Sequence, residues 1–109
     1  MGKDLACTEE YAVPAELLHL IGGFIQRRES ELPILRACAA QRGYATIQRT
    51  AHNIAGNGGA YGFPQLSLVG KNLEAAAKAK DGHRVEVDLD ALEHVLQRIH
   101  EHLVETGCV

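Results

Sequence analysis

Residues 44–63 read YATIQRTAHNIAGNGGAYGF, and the spacing of apolar residues in this stretch decides the fold class. Apolar residues return at alternating intervals of three and four, which is the pattern of a helix with one buried face. These residues are Tyr44, Ile47, Ala51 and Ile54. Three other segments repeat the spacing, whereas no segment of useful length alternates with the period of two that a strand requires. The sequence therefore predicts an all-α protein.

Four amphipathic helices with short connections are predicted, and together they make an up-and-down four-helix bundle. The predicted helices span about 15–41, 44–59, 64–80 and 89–105. The first is expected to be kinked near Pro33, because its apolar register runs through a residue that cannot donate the helical hydrogen bond. The last is expected to open at Asp88 or Asp90, after a turn and a brief alternation. A short extra N-terminal helix around 8–13 is compatible with the sequence there.

Length and composition exclude several classes of protein. A chain of 109 residues with 46% hydrophobic residues is expected to form one domain over 1–109. Eleven basic and fourteen acidic residues argue against nucleic-acid binding, which normally needs a clearly basic domain. No apolar run approaches the roughly 18 residues of a membrane span, and no signal peptide opens the chain. The three cysteines, Cys7, Cys38 and Cys108, suit neither a disulfide framework nor a zinc site, so a cytoplasmic monomer is expected.

A cluster of glycines in the second predicted helix calls for an explanation. Its members are Gly56, Gly58, Gly59 and Gly62. Each glycine inside a helix costs about 1 kcal/mol relative to alanine. One interpretation is that the helix ends at Ala55 and that the glycines form a loop. A nucleotide-binding phosphate loop is disfavoured, because such loops follow a strand and carry a Gly-Lys-[Ser/Thr] sequence that is absent here.

Helical geometry places His52 on the shoulder of the second helix. At roughly 100° per residue, its side chain points about 120° away from the buried face. Small or polar residues share this side of the helix: Ala45, Gln48, Gly56 and Gly59. Another protein could therefore approach this histidine closely, and the glycines are interpreted as clearing its way. An exposed helical histidine is also commonly a plain surface residue, and that alternative stays open.

The third predicted helix carries groups that suit a reactive histidine. Its inward residues leave Gly70, Glu74 and Lys78 on one shoulder. If the second and third helices pack antiparallel, Gly70 and Glu74 come near His52. A carboxylate that binds one imidazole nitrogen fixes the tautomer and leaves the other nitrogen as a nucleophile. Lys78 offers positive charge to a bound anion, although Glu74 and Lys78 also have the spacing of a surface ion pair.

The stretch 47–78 resembles the histidine-containing phosphotransfer (HPt) domains of bacterial two-component phosphorelays. The hallmark of that family is Ala-His-x-[Leu/Ile]-Lys-Gly, a glycine six residues further on, and a Leu-Glu pair in the following helix. The matching residues here are Ala51-His52-Asn53-Ile54-Ala55-Gly56, then Gly62, then Leu73-Glu74.

The resemblance implies a phosphocarrier without autonomous kinase activity, in which His52 takes a phosphoryl group from a receiver-domain aspartate and passes it to another receiver. It implies response-regulator receiver domains and a hybrid sensor histidine kinase as partners. It implies no cofactor on this chain, since the receiver supplies the Mg²⁺. Glu74 would hold the imidazole, and Gly56 would leave room for the phosphate. The further supporting residues are Gln48, Gly59, Gly70 and Lys78.

One departure from the family pattern concerns the position three residues after His52, where the family commonly has lysine and this chain has Ala55. Arg49, Lys71 or Lys78 would then supply the missing positive charge. The alternative function is a non-phosphorylated helical adaptor that binds receiver or kinase domains.

The other five histidines leave a metal- or haem-binding bundle as a third class of function. His100 and His102 are two residues apart and point to different faces of a helix, so they cannot chelate one ion together. His19, His83 and His94 have no partner at metal-ligand spacing. No metal site is therefore predicted.

Overall fold

A computed structural model describes residues 13–107, which form one 3-10 helix and four α-helices. The 3-10 helix spans Ala15–Leu20, and the α-helices are α1 (Ile21–Ala40), α2 (Tyr44–Ala60), α3 (Pro64–Lys78) and α4 (Gly82–Thr106). None of the described residues lies in a strand, which confirms the all-α class. The short helix considered around 8–13 falls outside the described residues except for Val13.

The four α-helices pack in chain order, with α4 returning to α1, and they form a four-helix bundle about 46 Å long. The most extensive helix interface joins α2 and α3. As the spacing predicted, Ile47, Ala51 and Ile54 are fully buried on α2, and Leu66 and Leu73 are fully buried on α3. Within the described part of the chain, every helix is too short or too polar to span a bilayer.

The first predicted helix consists of two elements in the structure. Its opening turn is the 3-10 helix, and the change to α-helix falls between Leu20 and Ile21. Pro33 lies inside α1 and is exposed to solvent. The helix continues on both sides of this proline, from Ile21 to Ala40.

α2 continues through its glycines to Ala60, so the alternative that this helix ends at Ala55 is wrong. Packing against α3 explains the continuation: a Cβ at Gly58 would lie 2.9 Å from the backbone nitrogen of Ser67. The chain turns only at Gly62, whose φ of 85° is a conformation that glycine adopts without strain.

α4 begins at Gly82, seven residues before the predicted start at 89. The side chain of Asp81 accepts a hydrogen bond of 3.1 Å from the backbone N–H of Arg84, so Asp81 caps the helix rather than Asp88 or Asp90. The brief alternation that was expected to precede the helix lies within α4. Asp81 is thus both the last residue of the connection and the N-cap of α4.

Candidate functional site

The imidazole of His52 projects from the outer side of α2, and its side chain is 73% exposed. The neighbouring Ala51 and Ile54 are fully buried and hold the opposite side of the helix against the core. His52 therefore occupies the shoulder position that helical geometry predicted, on a rigid element with its ring in solvent.

Glu74 on α3 binds the imidazole of His52. The Nδ1 atom of His52 lies 3.0 Å from Oε2 of Glu74. An ionised carboxylate can only accept a hydrogen bond, so beside an ionised Glu74 the Nδ1 atom carries a hydrogen and donates the hydrogen bond. In the neutral ring, Nε2 then holds the lone pair and is the nucleophilic nitrogen. Within residues 13–107, Glu74 pairs with His52 and not with Lys78, so the surface ion pair that the spacing of Glu74 and Lys78 also allows is not formed.

Gly70 sets the distance between α2 and α3 beside this pair. A Cβ at Gly70 would lie 2.7 Å from the backbone nitrogen of Ala55 and 3.1 Å from the carbonyl oxygen of Ala51. Side-chain atoms do not approach backbone atoms so closely, so only glycine lets the two helices meet here. Glu74 lies one helical turn after Gly70, on the same side of α3, and therefore reaches His52.

Gly56 and Gly59 lie on the exposed side of α2, and the packing of the bundle does not require them. A Cβ at Gly56 would have no atom within 4 Å, and one at Gly59 would meet only Oγ of Ser67 at an ordinary 3.7 Å. The interpretation that the glycine cluster clears the way to His52 is therefore wrong for Gly58, which, like Gly70, serves helix packing. It still fits Gly56, whose open space faces outward one turn after His52.

His52 lies in a shallow depression of about 380 Å³. The lining residues are Ala45, Gln48, Arg49, His52 and Glu74. Of the three cations considered for the missing lysine, Arg49 is the one that lines this depression. Lys71 lines a separate depression with Gly59, and Lys78 is exposed and lines neither. Ala55, at the position of that lysine, is buried.

A residue that the sequence reasoning missed lies beside the second of these depressions, which measures about 480 Å³. Leu68 lines it together with Gly62, Pro64 and Lys71, and 58% of this leucine is exposed. Its register was the available signal, because Leu68 is apolar and falls off the inward line of α3. An exposed leucine therefore lines the depression that also contains Gly59.

Two carboxylates and one guanidinium on α1 and α4 have shifted pKa values. Burial raises the pKa of Asp88 and, against the attraction of Arg28, that of Glu31. Hydrogen bonds to Glu93 and then Asp90 raise the pKa of Arg36. In the described chain, no group of three or more His, Cys, Asp or Glu side chains is placed to hold a metal ion.

A family model described as the Hpt domain matches residues 19–102. The matched span begins in the 3-10 helix and ends in α4, so it includes His52, Glu74 and the helix interface between them. No curated protein and no solved structure gives a match.

Proposed function

We infer the function of this chain from the premise that it belongs to the Hpt domain family, whose members are phosphotransfer intermediates of phosphorelays. The proposed carrier atom is Nε2 of His52. One observation carries this proposal: Nδ1 is held at 3.0 Å by Glu74, while the side chain of His52 is 73% exposed. The ring is thus oriented by the protein, and its second nitrogen is open to another protein.

In the proposed reaction, the lone pair of Nε2 attacks the phosphorus of an aspartyl phosphate on a receiver domain. A nitrogen–phosphorus bond forms, the bond from phosphorus to the aspartate oxygen breaks, and the electron pair of that bond returns to the aspartate as carboxylate. No proton has to leave, because Nδ1 keeps its hydrogen. The ring becomes positively charged, and the carboxylate of Glu74 stabilises that charge. Transfer to a second receiver reverses these steps.

Arg49 is proposed to face the phosphoryl group in place of the missing lysine. It lies three residues before His52, and residues at this spacing are neighbours on one side of a helix. Its lining position in the depression at His52 supports the assignment. Mg²⁺ is proposed to be held by the receiver, since carboxylates are its preferred ligands and the nearest carboxylate here, Glu74, already binds the imidazole.

The proposed partners are receiver domains of response regulators and a hybrid sensor histidine kinase. We propose that the chain acts in the cytoplasm as a monomer and has no kinase activity of its own. The alanine at position 55 favours the adaptor as the second candidate function, because no cation stands where the family commonly has one. The adaptor would bind receivers without being phosphorylated.

Incubation with a phosphorylated receiver tests the proposal. The wild-type protein is expected to acquire an acid-labile, base-stable label, and His52→Gln is expected to acquire none. His100→Gln is the matched control, because His100 also pairs with a glutamate, and it should keep the full label. A label that persists in His52→Gln contradicts the proposal. If the wild-type protein acquires no label, and if it and His52→Ala bind receivers equally tightly, the function is that of the adaptor.

A further inference from the structure

A larger depression of about 750 Å³ lies where the α1–α2 and α3–α4 connections meet. The residues that line it are Arg42, Gly43, Tyr44, Ala45, Lys80 and Gly82. Ala45 also lines the depression at His52, so the two depressions share a wall. Together they form a groove along the first half of α2, and its cations are Arg42, Lys80 and Arg49. We call this the basic groove.

The basic groove has the opposite charge from the protein as a whole. The residues that line its two depressions include three cations and one carboxylate, whereas the complete chain carries eleven cations and fourteen carboxylates. That single carboxylate belongs to Glu74, which binds His52. His52 therefore lies in a positively charged groove of a protein whose net charge is negative.

The backbone at Arg42 and Lys80 adds a second observation. Their φ angles are 58° and 56°, and among residues 13–107 they are the non-glycine residues with positive φ. Each follows the end of a helix, where glycine is the favoured residue in this conformation. A cation near the C-terminus of a helix interacts favourably with the helix dipole. A cation within the last helical turn would gain the same interaction without a strained positive φ. Both strained positions hold a cation, and both line the same depression.

We propose that the basic groove docks the acidic rim of the receiver domain that exchanges its phosphoryl group with His52. This inference rests on the proposed function. A receiver that binds Mg²⁺ through carboxylates must present negative charge around its aspartyl phosphate. Arg42 and Lys80 attract that rim at a distance from the phosphoryl group, and they offset the repulsion between two acidic proteins. They guide the encounter, whereas His52 and Glu74 carry out the transfer.

The salt dependence of phosphoryl transfer tests the groove. With a phosphorylated receiver below saturation, Arg42→Gln/Lys80→Gln is expected to lower the second-order rate constant about tenfold at low ionic strength. At about 0.5 M salt, the deficit should shrink to less than about twofold, because the Debye length falls to a few ångströms. Arg27→Gln/Arg98→Gln is the matched control, since it removes two exposed cations from α1 and α4. The control should stay within about twofold of the wild type at both salt concentrations.

A second variant separates charge from folding. Arg42→Gly/Lys80→Gly removes the same charges and relieves the positive φ, so it should melt no lower than the wild type and yet transfer as slowly as the glutamine variant. Transfer at the wild-type rate by either groove variant, or equal slowing by the control, overturns the proposal. The proposal is also overturned if the groove variants lose binding to anionic lipid vesicles as strongly as they lose transfer from the receiver. The groove would then bind anions in general. A wild-type protein that no receiver labels contradicts the proposed function itself.

Discussion

Two histidine–glutamate pairs join neighbouring helices of this bundle, and only one of them is proposed to carry a phosphoryl group. The Nδ1 atom of His52 on α2 lies 3.0 Å from Oε2 of Glu74 on α3, and that of His100 on α4 lies 3.4 Å from Oε2 of Glu29 on α1. The side chain of His52 is 73% exposed and that of His100 is 48% exposed. Both imidazoles therefore have a glutamate beside Nδ1, and the contact is shorter at His52.

The surroundings of the two pairs differ more than the pairs themselves. The cavity at His100 measures about 190 Å³, and none of its lining residues is a cation. Those residues are Gly22, Ile25, Gln26, Glu29, His100 and Leu103. The depression at His52 contains Arg49, and the next turn of α2 is open at Gly56. The proposed carrier therefore differs from His100 in the cation that lines its depression and in the open turn at Gly56.

The largest effect is expected at the helix interface that brings Glu74 to His52. Gly70→Ala places a Cβ 2.7 Å from a backbone nitrogen of α2, so the helices must separate. The free energy of unfolding should fall by about 2–3 kcal/mol, as overpacking of a buried site does, and chemical denaturation measures it. Gly59→Ala on α2 is the control, because its new methyl group makes only an ordinary contact with Ser67. A loss below about 1 kcal/mol for Gly70→Ala would contradict the role given to this glycine.

The pair of His52 and Glu74 was predictable from the sequence because it follows from helical register. The core residues Ile47, Ala51 and Ile54 fix the orientation of α2, and the inward residues of α3 do the same for Glu74. Once the buried faces of α2 and α3 are packed together, the residues beside those faces on the two helices must lie close to each other. The all-α class was predictable for the same reason, since it depends on spacing along one segment at a time.

The remaining features depend on contacts between segments, which spacing along the chain does not reveal. Gly56 and Gly58 are two glycines of the same helix, yet Gly56 faces solvent and Gly58 lies against the backbone of α3. The position of α3 alone separates their roles. Arg42 and Lys80 are far apart in sequence and share a depression only because two connections meet at one end of the bundle. The start of α4 was missed because Asp-Gly is typical of turns as well as of helix caps.

A smaller effect is expected from the charge on the two glutamates. Glu74→Gln keeps an oxygen that can accept the hydrogen bond from Nδ1 of His52 but removes the negative charge that stabilises the phosphorylated, cationic ring. Single-turnover transfer from a phosphorylated receiver should slow by about tenfold, which corresponds to roughly 1.4 kcal/mol of lost transition-state stabilisation. The matched variant Glu29→Gln alters the other pair in the same way and should leave transfer unchanged. Equal effects of the two variants would mean that Glu74 acts only through the fold.

The smallest change in structure tests the free space beside His52. Gly56→Ala adds one methyl group to an exposed turn of α2 where a Cβ meets no atom of this chain within 4 Å. The unfolding free energy should rise by about 0.5–1 kcal/mol, because alanine is the better helix former and restricts the unfolded chain. Transfer should nevertheless slow several-fold, since the methyl group occupies space that the proposed partner needs.

Gly23 makes this prediction specific, because it is also an exposed glycine within a helix and also has no atom within 4 Å of an added Cβ. Gly23→Ala should raise stability by a similar amount and leave transfer unchanged, since α1 carries no part of the proposed site. If Gly56→Ala gains stability and still transfers at the wild-type rate, the free space beside His52 does not explain why His52 and His100 differ. The cation Arg49 and the exposure of the ring would then have to account for the distinction between the two pairs.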